Sequence, residues 1–462
     1  NTTPQATYAD LYERQRAFFE AGHTLKQSVR ESWLRALMDG IRKRENDINA
    51  ALYEDLRKSP VESMGSEWGF VNNEIRHTLK HLGAWMKPQR KLAPVAAQPG
   101  MSVVYPQPLG ATLILGAWNY PFQLVVAPLI PALAAGNTAV LKPSELSPAT
   151  SSVVADLIGS VFSPEHVACV EGGVEASTAL LEQPWEHLFF TGGTRVGRII
   201  ARAGAETLAR VTLELGGKSP AIVSHTANLE VAARRIMFGK VVNAGQTCIA
   251  PDYVLVHEAV HDELVHHMSA HLTRMLGDDP QQSEDLGRIV NDRHFQRLRG
   301  LMDSGTVAHG GRHDADDRYI EPTLLTGVSW DDAVMQEEIF GPILPILKVR
   351  SVEDAIREVR RHRDPLALYL FTEDKAEKDA VLARISFGGG CVNNTLVHLT
   401  DPDLPFGGIR TSGIGAYHGR SGFDRFTHYK SVLESSSARL LDPDLKYPPY
   451  AGRYELMKKL LG

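Results

Sequence analysis

Cysteine is scarce in this chain: there are three in 462 residues, Cys169, Cys248 and Cys391. So small and odd a number, with no CxxC pair or Cys/His cluster, excludes a disulfide framework and offers no metal-binding pattern. A reducing compartment, the cytoplasm, is the expectation. Charge of one sign is also not in excess, since 49 basic residues stand against 55 acidic ones for a net charge of -6. No basic block is long enough to grip a phosphate backbone, so nucleic acid is not an expected partner. Long uninterrupted apolar runs are missing too. Between Lys91 and Lys142 there is no Asp, Glu, Lys or Arg, but Pro106, Pro108, Pro121, Pro128 and Pro131, with Gly110, Gly116 and Gly136, break the stretch. It therefore falls short of the roughly 20 helical residues that a membrane span needs, and a buried sheet with a helix beneath a ligand site fits better. Asn1 to Asp10 lack the apolar centre of an export signal, so export is not expected.

What is there is an ordinary globular composition, 43% hydrophobic and 23% charged, in a chain too long for one core. Single cores stop growing at roughly 250 to 300 residues, so two or three domains are expected. Residues 8–57 read as packing helices, with Trp33, Leu34, Leu37 and Ile41, then Ile48, Leu52 and Leu56, at helical spacing. From Thr112, short apolar runs (112–115, 138–141, 167–170, 187–190) alternate with longer segments at 125–135, 149–162 and 176–182. The alternation restarts after Glu214, with strands at 221–223 and 252–257 and helices at 229–238 and 262–276. Such a pattern implies βαβ units and parallel sheets covered on both faces, with a boundary near 212–218. Residues 280–332 look loop-rich, and Gly388-Gly389-Gly390 reads as a turn.

Four constellations carry candidate chemistry. Cys248 ends Asn243-Ala-Gly-Gln-Thr-Cys, where a turn can present a thiol to a cleft; Cys169 and Cys391 sit in apolar runs and read as packing residues. A free thiol is only a few per cent ionised at neutral pH, so the surroundings decide its reactivity. Glu214 lies in an apolar strand ahead of Gly216-Gly217, where burial would raise its pKa and suit it to take a proton near neutrality. Phe190-Thr-Gly-Gly-Thr-Arg-Val-Gly197 follows a strand and opens a helix, a place where bare backbone amides favour a pyrophosphate, although a plain strand-to-helix turn fits equally. Lys142-Pro-Ser-Glu145 closes a strand with two charged groups that could bracket a ribose, or serves only as a helix cap.

Taken in order, Trp118-Asn-Tyr-Pro121, Lys142-Pro-Ser-Glu145, Thr191-Gly-Gly-Thr194 with Val196-Gly197, Glu214-Leu-Gly-Gly-Lys-Ser-Pro220, Gly245-Gln-Thr-Cys248, Glu337-Glu-Ile-Phe-Gly-Pro342 and Pro405-Phe-Gly-Gly408 resemble the motif series of the aldehyde dehydrogenase superfamily. The resemblance runs from about residue 10 to 433. Cys248-Ile-Ala-Pro-Asp252 and Gly415-Ala-Tyr-His-Gly-Arg420 resemble its class 3 branch, known for aliphatic and aromatic aldehydes and for accepting NAD or NADP. It implies that Cys248 attacks the aldehyde, that Asn119 and the Cys248 backbone amide hold the oxyanion, and that Glu214 activates the hydrolytic water, with Glu338 able to share that role. The cofactor would meet Lys142 and Glu145 at its adenine-side ribose, Thr191, Gly192, Gly193 and Val196 at the pyrophosphate turn, and Glu338 and Phe340 at the nicotinamide end. The sequence departs from the family at Ala117, where many relatives have proline, and at Gly193, where many have serine, so backbone amides alone must serve there.

The expected architecture is α/β. A Rossmann-like doubly wound cofactor domain (1–85 and 109–213) joins an α/β catalytic domain (214–391). A small β bridging, or oligomerisation, element (86–108 and 392–432) would pair strands across a homodimer, and residues 433–462 form a tail. NAD is the expected cofactor, with NADP tolerated, and the expected reaction converts medium or long aliphatic or aromatic aldehydes to acids. Release of the acyl group to coenzyme A is the rival chemistry, and a catalytically silent protein on this scaffold is the rival from another class.

Overall fold

The structure is a computed structural model that describes residues 5–94, 97–362, 364–442 and 447–461. Residues 1–4, 95–96, 363, 443–446 and 462, which fall inside the expected segments 1–85, 86–108, 214–391 and 433–462, lie outside the described residues. The chain opens with helices α1 (Gln5–Glu20), α2 (Gln27–Lys43), α3 (Glu45–Leu56), the single turn α4 (Pro60–Ser63) and α5 (Gly69–Trp85). A π-helical turn, Met64–Trp68, joins α4 to α5. Leu34, Leu37 and Ile41 of α2 are fully buried, as the helical period requires of a core-facing stripe.

Strands β1 (Gln89–Leu92) and β2 (Gly100–Pro108) pair antiparallel and begin a small exposed sheet. Next come β3 (Ala111–Leu115), α6 (Gln123–Ala135), β4 (Thr138–Lys142), α7 (Pro148–Val161), β5 (Val167–Cys169), α8 (Val174–Leu181), β6 (His187–Gly192), α9 (Thr194–Thr207) and β7 (Arg210–Leu215). These five strands lie side by side in the order β7-β6-β3-β4-β5, all parallel. Every residue of β3 and β4 is buried, which is why both read as unbroken apolar runs. Helix α6 is buried all round, so it has no polar face; among the described residues no helix is long and apolar enough to cross a membrane. Chain order reverses between β3 and β6, and in such sheets ligands bind at the carboxyl ends of the strands beside that reversal.

The second sheet starts at β8 (Pro220–Val223) and continues through α10 (Leu229–Val241), β9 (Tyr253–His257), α11 (His261–Leu276) and α12 (Asp292–Leu301). Its other members are β10 (Thr306–His309), β13 (Thr323–Thr326), β14 (Ile343–Val349), β15 (Ala367–Phe371) and β16 (Gly389–Val392), with a separate ribbon of β11 (His313–Asp314) and β12 (Tyr319–Ile320) between β10 and β13. The spatial order is β10-β13-β14-β9-β8-β15-β16, and only the β10–β13 pair is antiparallel. Strand β17 (Gly413–Ile414) adds to the open side of β7, and β18 (Thr427–Ser435) pairs with β2 over nine residues.

Residues 280–332 are loop-rich as expected, but they also carry α12, which is capped by the Asn291 side chain on the His294 amide and buries Phe295 and Leu298, an apolar stripe narrow enough to be masked by polar neighbours. One local expectation fails: the Gly388–Gly390 triplet is not a turn, because Gly389 and Gly390 stand in β16 opposite Ala367 and Leu368. A Cβ on Gly390 would come 2.0 Å from the Leu368 carbonyl oxygen, so glycine is required by close backbone approach.

Candidate active site

A cavity of about 1340 Å³ opens where the carboxyl ends of the first sheet face the second sheet. Asn119, Thr191, Gly192, Gly193, Val196, Glu214, Cys248, Glu338 and Phe340 all line it. Lys142 and Glu145 do not: they lie one strand further out, where the Lys142 ammonium donates to the Pro143 carbonyl at 2.8 Å and to Glu145 Oε2 at 3.1 Å.

Cys248 follows a sharp turn at the end of α10. Asn243, Ala244 and Gly245 all have positive φ (53°, 51° and 72°), a sparsely populated conformation held by the surrounding packing. A Cβ on Gly245 would lie 2.3 Å from the Gly341 carbonyl oxygen, so the glycine lets the nucleophile turn press against the Glu337–Pro342 loop. The Asn119 side-chain amide donates to the Gln246 carbonyl at 3.0 Å, and the Tyr120 hydroxyl lies 2.6 Å from Thr247 Oγ1. Gln246 itself is pinned by the Arg288 carbonyl and the Val290 amide.

The electrostatics keep protons in the site. Burial pushes the half-buried Cys248 thiol well above its ordinary value; the Glu338 and Glu214 carboxyls add to this, and the backbone amides of Cys248 and Ile249 oppose it. Glu214, on β7 opposite Thr191 of β6, is buried with neither carboxyl oxygen hydrogen-bonded, and desolvation raises it strongly against a counter-pull from Arg425. Burial takes Glu338 up to about 8, with Asp252 adding and the Gly217 amide, Lys218 and Lys240 opposing. A Cβ on Gly216 would lie 2.0 Å from Glu338 Oε2, so this carboxyl fills the space beside the glycine. The thiol and two carboxyls with raised proton affinity thus share one desolvated cavity, the arrangement in which nucleophilic and acid–base catalysis are found.

The remaining lining suits a dinucleotide. Gly193 precedes α9 with no capping side chain, and a Cβ there would meet nothing within 4 Å, leaving the amides at the helix start open to an anion. Thr191 Oγ1 is buried without a partner. Apolar side chains, among them Phe70, Tyr120, Leu124, Val242 and Leu399, make up another part of the wall.

Sequence reasoning missed Lys58, Glu62 and Glu67. Glu62 lines the cavity and accepts from the Asn243 amide at 2.8 Å, and burial raises it to about 7. Lys58 and Glu67 form an ion pair with no exposure. Lys58 lies in the link between α3 and α4 and Glu67 in the π-helical turn Met64–Trp68, where no regular helical period marks either as buried.

The aldehyde dehydrogenase family model matches residues 3–432. The chain is 47% identical to a 4,4'-diaponeurosporen-aldehyde dehydrogenase of Staphylococcus aureus, over 96% of each chain. It is 42% identical to the dimeric NADP-preferring aldehyde dehydrogenase of Rattus norvegicus, over 96% of this chain and 98% of that one. Among solved structures it superposes on a substrate-bound AldH of Staphylococcus aureus with a TM-score of 0.96 and 46% identity, covering 98% of this chain and 99% of the other. The chain belongs to the aldehyde dehydrogenase family, in its class 3 branch, and is an NAD(P)-dependent enzyme that oxidises aldehydes.

Proposed function

We propose that Cys248 is the nucleophile, that Asn119 and the Cys248 backbone amide hold the oxyanion, and that the preferred substrates are medium or long aliphatic or aromatic aldehydes. The observation that carries this reading is the convergence of Cys248, Asn119, Glu214 and Glu338 on one cavity with an apolar wall. In its ionised form Glu338 or Glu214 takes the Cys248 proton, which passes on to solvent before deacylation, and the thiolate adds to the carbonyl carbon. Asn119 stabilises the charge that develops on oxygen, an interaction worth most in a dry site. When bound, the nicotinamide supplies a hydride acceptor. Glu214 then draws a proton from water as that water attacks the Cys248 thioester, with Glu338 the alternative base. Two buried carboxyls that line the same cavity as Cys248 support hydrolysis over transfer to a thiol, which needs no base-activated water.

The helix start at Gly193 and Thr194 would hold the pyrophosphate, with Thr191 and Val196 beside it, Lys142 and Glu145 at the adenine-side ribose, and Glu338 and Phe340 at the nicotinamide end. The cofactor domain is assigned residues 1–85 and 109–213, the catalytic domain 214–391, and the bridging element 86–108 and 392–432. The exposed sheet of β1, β2 and β18 supports a homodimer joined through that element. Three unpaired cysteines fit a reducing compartment such as the cytoplasm. A panel of short, long and aromatic aldehydes, followed by reduced-cofactor absorbance, tests the substrate range; turnover confined to two- and three-carbon aldehydes would refute it.

A further inference from the structure

Lys58 and Glu67 have no part in the chemistry assigned above, yet Lys58 Nζ and Glu67 Oε2 both bond to the main chain of residues 119–123. Lys58 Nζ donates to Glu67 Oε1 at 2.5 Å and to the Asn119 main-chain carbonyl at 2.9 Å, and it lies 3.8 Å from the centre of the Tyr120 ring. Glu67 Oε2 accepts from the amides of Phe122 at 3.2 Å and Gln123 at 2.8 Å, at the start of α6. From the other side, Asn243 Nδ2 donates to the same Asn119 carbonyl at 2.7 Å and to the Gln246 carbonyl at 3.1 Å. The peptide that follows Asn119 is therefore held between an ammonium and an amide, and the Asn119 side chain is tied in turn to the residue two before Cys248.

Stability alone does not explain charges in this place. An apolar pair of matching volume is often as stable as a buried ion pair or more so, whereas a directed ammonium fixes a carbonyl in a way no methyl group can. We infer that Lys58 and Glu67 are a positioning pair, which fixes the Asn119 peptide from behind so that its side-chain amide is aimed before the aldehyde arrives. The pair acts through Asn119 and touches no reacting atom. It governs the steps in which charge develops on the substrate oxygen, of which formation of the Cys248 adduct is the first and the one that single-turnover reduction of NAD reads. This inference rests on the reading of Asn119 as the oxyanion donor.

The test is single-turnover reduction of NAD with a simple aldehyde, in the full-length enzyme, for Lys58→Met/Glu67→Gln, for Glu67→Gln alone, and for each of these combined with Asn119→Ala. The double change removes both charges together and keeps an acceptor for the amides of Phe122 and Gln123. A displaced catalytic donor typically costs about 100-fold, so a loss of about 10- to 100-fold in the single-turnover rate is expected, with NAD affinity and circular dichroism unchanged. In the Asn119→Ala background the same changes should cost almost nothing more, because the group they aim is gone. Wild-type rates in the double variant, or an equal loss with and without Asn119, would overturn the inference. Should the double variant not fold, Glu67→Gln alone decides, by the same comparison in the two backgrounds. Asn119→Ala reacting at the wild-type rate would remove the oxyanion reading and this inference with it; a slow Asn119→Ala beside fast pair variants removes the inference only.

Discussion

The Asn119 side-chain amide donates a 3.0 Å hydrogen bond to the carbonyl of Gln246, two residues before Cys248. The Asn119 loop and the Cys248 turn are thus one unit, and on the proposed reading the second amide hydrogen of Asn119 serves the substrate oxygen. Asn119→Ala should lower turnover by about 100- to 1000-fold, with little change in NAD affinity measured by fluorescence titration. Turnover within a factor of three of wild type would show that the backbone amide of Cys248 suffices.

Glu214 and Glu338 compete for the role of base. Glu214 has no hydrogen-bond partner on either oxygen, while Glu338 is held by the Gly217 amide, so Glu214 is the freer to take up water. Glu214→Gln should slow deacylation by about 100- to 10,000-fold and preserve the initial burst of reduced cofactor. A mild effect there, with a severe one in Glu338→Gln, would reverse the assignment.

The pH profile follows from the raised acids. Burial takes Glu338 up to about 8 and pushes the Cys248 thiol well above its ordinary value, so both are protonated at neutral pH and ionise only as pH increases; burial also raises Glu214. Inactivation by iodoacetamide should therefore accelerate steadily from pH 6 to 9, because alkylation needs the thiolate. In Glu338→Gln the alkaline part of the curve, above about pH 8, should move to lower pH, since Cys248 loses a neighbour that is negative there. A rate independent of pH across this range would mean that the thiol is already ionised.

Much of this was legible in the sequence. Parallel strands lined with Val, Leu and Ile betray themselves as unbroken apolar runs, and β3, β4 and β6 lie where such runs placed them. Cys248 and Glu214 stood out because polar residues beside glycine turns break an apolar pattern, whereas Asn119 was reached through the family resemblance alone. What stayed hidden depends on contacts remote in the chain. The role of Gly245 is set by the Gly341 carbonyl and the burial of Lys58 by Glu67 and Asn119, and no local period encodes either. The stripe of α12 was lost among the arginines and histidine of Asp292–Leu301.

On the proposed placement of the adenine-side ribose, cofactor choice turns on Glu145, whose side chain is 43% exposed and engages Lys142. A carboxylate there repels a 2′-phosphate, while the lysine offsets it, so NAD should be preferred with NADP tolerated. Glu145→Gln should raise kcat/KM for NADP about tenfold and lower that for NAD slightly. Equal loss with both cofactors would place this residue away from the ribose.

The most direct test is to trap the covalent species. Glu214→Gln enzyme mixed with NAD and a long-chain aldehyde, quenched in acid and weighed intact, should gain the mass of one acyl group per chain, with the adduct located by peptide mapping on Cys248. Unmodified protein after one turnover of NAD reduction, or an adduct on Cys169 or Cys391 instead, would contradict a mechanism that passes through Cys248.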